Sequence, residues 1–191
     1  VYNNLHGCCQ YDRVAKTPVK EVIKTDVVTE NHTNHGNHIA TPKTEVQEVN
    51  QLKAVFDNYF IVKDAMISSD GTATSAASKV LFTAINNVKM DQLEMDVHMV
   101  WMKVVQSLKE DAEHIADTKD IKHQRDHFIS LSNDIYALMS VAKYEVPVYY
   151  QYCPMANDGK GANWLSKENE IKNPYYGSKM LTCGKIVTTI N

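Results

Sequence analysis

The sequence lacks an excess of charge of either sign and lacks a long apolar run. Its 191 residues carry 20 Lys and Arg against 23 Asp and Glu, which gives a formal net charge of -3 at pH 7. A nucleic-acid-binding protein needs a basic surface, and this balance does not supply one. No apolar run approaches the roughly 20 residues that a membrane-spanning helix needs. The sequence therefore supports neither nucleic-acid binding nor a transmembrane helix.

The sequence also lacks the short motifs of common catalytic classes. It contains no G-x-S-x-G of serine hydrolases and no H-E-x-x-H of zinc proteases. The segment Gly159–Gly161 is too short for a glycine-rich phosphate loop. Asp111 and Glu113 beside His114 have the residue types of acid-base partners, but a solvated helix face explains them better. We therefore predict a protein that is not an enzyme.

The composition is that of one globular domain with a polar segment before it. Hydrophobic residues make up 43% and charged residues 23% of the chain, which is an ordinary globular balance. Residues 1–43 lack sustained periodicity and are predicted to be a disordered tail or linker. Residues 44–191 are predicted to form a helical bundle followed by a β region that contains Cys and Met. The first residue is Val1 rather than Met, which predicts a fragment or a processed form.

The predicted tail carries two features of its own. His32, His35 and His38 recur at every third residue. Such a tract can bind metal loosely, although a solvated linker is the simpler interpretation. The segment Leu5–Cys8 has the outline of a lipoprotein processing site. A lipid anchor at Cys8 is one hypothesis, and an unstructured tail with incidental cysteines is the other.

From residue 44 onward the apolar residues recur at spacings of three and four, which is typical of amphipathic helices. Four helices are predicted: one from Thr44 to the break at Ser68, and three over Thr72 to Val88, Met90 to Ala116 and Ile121 to Ala142. Val- and Tyr-rich stretches at Val146 to Tyr152 and Met180 to Ile190 then predict strands. The predicted class is mainly α, an up-down four-helix bundle with a small C-terminal β-hairpin or meander.

Four sulfur-containing side chains stand out in the predicted β region: Cys153, Met155, Met180 and Cys183. Thiolate and thioether sulfur select Cu(I) and, by the same softness, Ag(I). A soft-metal site is therefore one hypothesis for these four residues. A disulfide between Cys153 and Cys183 is a second, and ordinary core packing of the two methionines is a third.

Histidines supply a second candidate metal site. His123 and His127 lie four residues apart on the predicted fourth helix, so both rings lie on one side. His98 and Met102 have the same spacing on the third helix, and His114 lies near the end of that helix. An i, i+4 pair can chelate a divalent ion when a third ligand comes from elsewhere. Packing at the edge of the apolar stripes is the stronger of the two interpretations.

Several segments together resemble a bacterial family catalogued as a domain of unknown function, DUF3347. The resemblance extends over about Val46 to Ile190. It rests on residues 98–101, 110–116 and 121–128, on Tyr-Cys-Pro-Met-Ala at 152–156 and on Asn-Pro-Tyr-Tyr-Gly at 173–177. Members of this family look like secreted or lipoprotein-type envelope proteins, and some are associated with the periplasmic adaptor of copper/silver efflux systems. The resemblance implies a periplasmic or outer-envelope location and an efflux adaptor as partner.

These observations lead to two hypotheses of different classes. The first is an envelope accessory protein of metal efflux or trafficking that binds Cu(I) or a similar soft ion through Cys153, Met155, Met180 and Cys183. The alternative is a structural or interaction module that binds no metal. In it, a Cys153–Cys183 disulfide closes the β region and the chain docks on a membrane-associated partner.

Overall fold

The computed structural model of the chain describes residues 44–142 and 144–191, with side chains from residue 51 onward. The four helices are α1 Thr44–Ile67, α2 Gly71–Asn86, α3 Met95–Asp117 and α4 Ile121–Met139. The three strands are β1 Val148–Cys153, β2 Ala162–Ser166 and β3 Lys185–Ile190. The predicted class, mainly α with a small C-terminal β part, is confirmed. The predicted tail, with its histidines and Cys8, lies outside the described residues.

Two predicted helix boundaries are wrong, and each has a local cause. The third helix was predicted to start at Met90, but Met90–Gln92 forms a separate 3-10 turn and Leu93 is extended, with φ -78° and ψ 142°. Leu93 reaches the core from this extended backbone. The fourth helix was predicted to reach Ala142, but it ends at Met139, where Ser140 caps it. The Ser140 hydroxyl donates to the carbonyl of Tyr136 over 2.7 Å.

Small polar side chains form the face of α2 that packs on α3. The spacing of apolar residues identifies the buried face of α2 only in part, since Val80 is 54% exposed while Ser75 and Ser78 are buried. The Ser78 hydroxyl donates to the carbonyl of Ala112 over 2.7 Å, and that of Ser75 donates to the carbonyl of Ala116. Because these hydroxyls bond directly to the backbone of α3, the two helices approach closely.

The turn between α3 and α4 is fixed by one buried glutamine and one glycine. The Gln124 amide nitrogen lies 2.9, 3.1 and 2.8 Å from the carbonyl oxygens of Gly71, Ile115 and Thr118. A Cβ at Gly71 would lie 2.1 Å from the carbonyl oxygen of Lys119, so only glycine fits there. These contacts hold the end of α3 against the start of α4.

The sheet has the order β2-β1-β3, and β1 pairs antiparallel with both neighbours. Strand β2 lies between the two predicted strands, where no strand was predicted, and its five residues include no β-branched side chain. Burial decides its structure: Trp164 and Leu165 are fully buried, and the strand packs on α4. The Leu165 amide also donates to the Tyr59 hydroxyl over 3.0 Å, which ties β2 to α1.

The last strand is an exposed edge of the sheet. It begins at Lys185 rather than at the predicted Met180, because the chain turns at residues 181–182, where the Cys183 amide donates to the carbonyl of Met180 over 3.1 Å. Ile186 and Val187 are 42% and 54% exposed. Strand β2 packs on α4 and Tyr150 of β1 stacks on Tyr136 of α4, whereas five of the six residues of β3 are exposed. Among the described helices, none combines the length and the hydropathy that crossing a bilayer requires.

Candidate metal centre

Three histidines meet beside the turn that joins α3 to α4. His114 lies in the last turn of α3, and His123 and His127 lie in the first two turns of α4. One ligand nitrogen from each ring lies within 4.8 Å of the other two. The rings of His114 and His127 are stacked, with centroids 4.4 Å apart and planes 12° apart. The centroid of His123 lies 4.9 Å from that of His127.

The local sequence explains why these rings meet. His123 and His127 are four residues apart, so they project from one side of α4. The Asp120 side chain accepts a hydrogen bond of 2.9 Å from the amide of Lys122. Asp120 thus caps the start of α4 immediately after the turn. Since α3 and α4 run antiparallel across this short turn, the end of α3 faces the start of α4. His114 thereby supplies the third ring that the sequence alone could not place.

A buried carboxylate orients one of the three rings. Asp111 lies one turn before His114 on α3, and its Oδ1 is 2.9 Å from Nδ1 of His127. The side chain of Asp111 is only 8% exposed, whereas that of His127 is 25% exposed. When Nδ1 donates to the carboxylate, the lone pair of Nε2 is left free for a ligand. A carboxylate behind a ligating imidazole is the usual second partner of protein metal sites.

The carboxylate of Asp111 lacks a cationic side chain to balance it. No lysine or arginine of the described part of the chain forms an ion pair with Asp111, and its Oδ2 is buried without a hydrogen-bond partner there. Burial raises the pKa of the nearby Asp134 carboxyl, and the negative charge of Asp111 raises it further. A cation held by His127 would offset this buried negative charge. The interpretation of Asp111 as part of a solvated helix face is therefore wrong.

The spacing of the three nitrogens is close to what one metal ion requires. Two nitrogens bound tetrahedrally at about 2.05 Å from one ion lie about 3.3 Å apart. No two of the three observed nitrogens are more than 4.8 Å apart. To bind one ion, each pair therefore needs to approach by at most about 1.5 Å. His114 and His123 are exposed, so their rings can turn without disturbing the core. Three imidazoles suit Zn²⁺, Cu²⁺ or Ni²⁺, with one coordination position left open.

Two predicted ligands lie elsewhere on the bundle. His98 and Met102 are on α3, and His98 precedes His114 by 16 residues. At 1.5 Å per residue this separation is about 24 Å along the helix axis. They do not contribute to the three-histidine centre.

The two predicted cysteine ligands do come together. Cys153 ends β1 and is fully buried, and its Sγ lies 2.7 Å from Sγ of the partly exposed Cys183. The hydrogen bond with the Cys153 thiol raises the pKa of the Cys183 thiol most, and burial raises it further. An ion bound to both sulfurs at about 2.3 Å would hold them about 3.8 Å apart. The observed spacing is nearer to that of a disulfide, about 2.05 Å.

The two predicted methionine ligands, Met155 and Met180, do not come together with the cysteines through their side chains in the way that the two thiols do. Met155 is 54% exposed, although its backbone amide bonds to the Cys183 sulfur. Met180 is partly exposed, and its carbonyl accepts the amide of Cys183 over 3.1 Å. The structure thus places both methionines next to the cysteines through their backbone atoms.

Replacing Asp111 with Asn should weaken metal binding without unfolding the domain. The oxygen of the asparagine amide can still accept a hydrogen bond from His127, but the substitution removes the negative charge behind the ring. Loss of such an outer partner reduces metal affinity by about 10- to 100-fold. Zn²⁺ titration calorimetry measures this change, with the exposed Glu113→Gln as the matched control. Equal Zn²⁺ affinity in the two variants would contradict a role for Asp111.

Sequence reasoning missed Asp111 as part of the site, because its burial depends on how α3 and α4 pack. The one signal available for Asp111 was its position one turn before His114 on α3.

Comparison with known proteins supports a family for the helical region. Residues 55–145 match the model of a family described as protein of unknown function (DUF3347). No curated protein and no solved structure matches the chain. The matched region includes the three histidines and Asp111 and ends before Cys153. This match confirms the resemblance for the helical domain, while the association with copper/silver efflux stays a prediction.

Proposed function

We propose that this chain is a metal-binding accessory protein that holds a divalent transition-metal ion at the three-histidine centre. One observation carries the proposal: three imidazole nitrogens lie within 4.8 Å of one another, and a buried carboxylate orients one of the rings. His114, His123 and His127 would bind the ion, and Asp111 would fix His127 and offset the charge. The chain would hold and transfer the ion without catalysing a reaction.

The ligand set and its exposure suggest how the ion is handled. Imidazole sites bind first-row divalent ions with Cu²⁺ held most tightly, and Zn²⁺ and Ni²⁺ less so. Because two of the three rings are exposed, a ligand from another protein can reach the open coordination position. This arrangement suits the transfer of an ion to a partner. An efflux adaptor as that partner, and an envelope location, rest on the family resemblance alone.

A Cu(I) or Ag(I) site built from Cys153, Met155, Met180 and Cys183 has less support. The two thiol sulfurs lie closer together than an ion between them requires, at 2.7 Å. Met155 is largely exposed, and a soft-metal site gains from the exclusion of water. We therefore place the principal metal site at the histidines.

Titration of the full chain with Zn²⁺ tests the proposal. We expect one tightly bound ion per chain, and we expect this binding to weaken as acid protonates the rings, because imidazole binds metal only in its neutral form. Blocking the thiols with iodoacetamide should leave this binding unchanged. A tight ion that is lost on thiol blocking would place the site at the cysteines and contradict the proposal.

A second candidate function is a structural or interaction module closed by a Cys153–Cys183 disulfide. The distance of 2.7 Å between the sulfurs favours it. In this account the sheet is held in place by the bridge, and the chain docks on a membrane-associated partner. A Cys153–Cys183 disulfide and the three-histidine centre are compatible features, since the cysteines and the histidines lie on different elements.

A further inference from the structure

Methionines are concentrated at the surface of one part of the chain. Four of the eight methionines lie between residues 90 and 102. Met90, Met95, Met99 and Met102 are 49%, 71%, 52% and 52% exposed. By contrast, Met66 and Met139 fill the core and are 0% and 2% exposed. Core filling, the usual role of methionine, therefore does not explain the first group.

Three of these methionines share one side of α3 with a histidine. At about 100° per residue, Met95, His98, Met99 and Met102 fall within a sector of about 100° and extend over about 10 Å of helix. Each is three or four residues from at least one other, a spacing at which side chains on a helix meet. His98 is partly buried, so it forms the inner edge of this sector. Four potential metal-ligand side chains thus lie on one side of α3.

The residue types favour a metal over an apolar partner. In α3, the methionines at 95, 99 and 102 are the only exposed large apolar side chains. Methionine also occurs at docking faces, but no exposed Leu, Ile or aromatic side chain of α3 accompanies it there. Thioether sulfur is instead a soft ligand that selects Cu(I) and related ions. Asp96, in the first turn, adds a negative charge that offsets the positive end of the helix dipole.

We propose that His98, Met95, Met99 and Met102 form a second metal site, which binds a soft monovalent cation such as Cu(I) or Ag(I) on the open side of α3. His98 would supply an imidazole nitrogen, and the methionines would supply neutral thioethers. The site goes beyond the three-histidine centre: about 18 Å of helix separates Met102, its nearest ligand, from His114. It uses no cysteine, so it does not depend on the oxidation state of Cys153 and Cys183.

Nuclear magnetic resonance of methionine methyl groups labelled with ¹³C tests this site directly. The probe is Ag⁺, which is soft and redox-inert, added to the full chain after the thiols are blocked with iodoacetamide. We expect the methyl signals of Met95, Met99 and Met102 to shift and to saturate together. The signals of the buried Met66 and Met139 should stay in place. Single Met→Leu substitutions assign each signal.

Two controls make the result specific. The variant Met95→Leu, Met99→Leu, Met102→Leu keeps the apolar bulk and should lose the bound Ag⁺, whereas Met155→Leu, also at an exposed position, should keep it. Zn²⁺ should leave the three signals unmoved but still bind the three-histidine centre. Methyl signals that do not shift with excess Ag⁺, or that shift equally with Zn²⁺, would overturn the proposal. Signals that change only with protein concentration would instead assign this face to self-association.

Discussion

The double substitution His114→Ala, His123→Ala should lower the affinity for Zn²⁺ by more than about 100-fold, beyond what loss of an outer partner causes. Only His127 would then remain of the three imidazoles, and a single imidazole holds a divalent ion poorly. Both substituted residues are exposed, and alanine is a strong helix former. Stability should therefore change little, and calorimetric titration at constant pH measures the binding.

The variant is chosen to leave the buried part of the centre intact. Replacing His127 would leave the buried Asp111 carboxylate without its partner, and this would destabilise the fold by about 1–3 kcal/mol. His98→Ala is the matched control, because it removes a histidine from α3 at a distance of about 24 Å. Full Zn²⁺ affinity in the double variant would place the ion outside the three-histidine centre.

Oxidation of Cys153 and Cys183 to a disulfide should stabilise the chain against unfolding by roughly 3 to 4 kcal/mol. The closed loop contains the 29 residues from Pro154 to Thr182, and the bridge restricts this loop in the unfolded state. The two sulfurs already lie 2.7 Å apart, which brings them within reach of a bond. The midpoint of thermal unfolding should rise by roughly 10 °C on oxidation.

The measurement uses a variant in which only these two thiols can pair. Cys8→Ser and Cys9→Ser remove the other cysteines, and mass spectrometry then shows whether two hydrogens are lost on mild oxidation with oxidised glutathione. Thermal unfolding is compared with and without reductant. Two free thiols after oxidation, or equal unfolding temperatures, would argue against the bridge and restore the sulfurs as candidate metal ligands.

The helices were predictable from the sequence because their buried faces repeat at helical spacing. Phe56, Tyr59 and Leu108 follow this rule and are fully buried. Val80 shows where this rule fails, because it is exposed. The contact of α2 with α3 instead uses serine hydroxyls that donate hydrogen bonds to the backbone of α3. Composition alone does not reveal which face of such a helix is buried.

Strand β2 shows a second limit of sequence reasoning. Its residues have little intrinsic preference for a strand, and none is β-branched. Its conformation depends on pairing with β1 and on burial of Trp164 against distant parts of the chain. Contacts of this kind are not encoded in local spacing.

The candidate centre was predictable only in part, for the same reason. The spacing of His123 and His127 placed both rings on one side of α4. Bringing His114 to them required the antiparallel packing of α3 and α4, and Asp111 required burial at their interface. Both depend on contacts such as those of Gln124 at the turn, which the sequence does not indicate.

X-ray absorption spectroscopy of the chain loaded with one Zn²⁺ identifies the atoms that bind the ion at the three-histidine centre. We expect only nitrogen or oxygen neighbours at about 2.0–2.1 Å, together with the outer-shell scattering of three imidazole rings. Loss of the imidazole scattering in the His114→Ala, His123→Ala variant would complete the assignment. A sulfur shell at about 2.3 Å would contradict the account, since it would place the ion at Cys153 and Cys183.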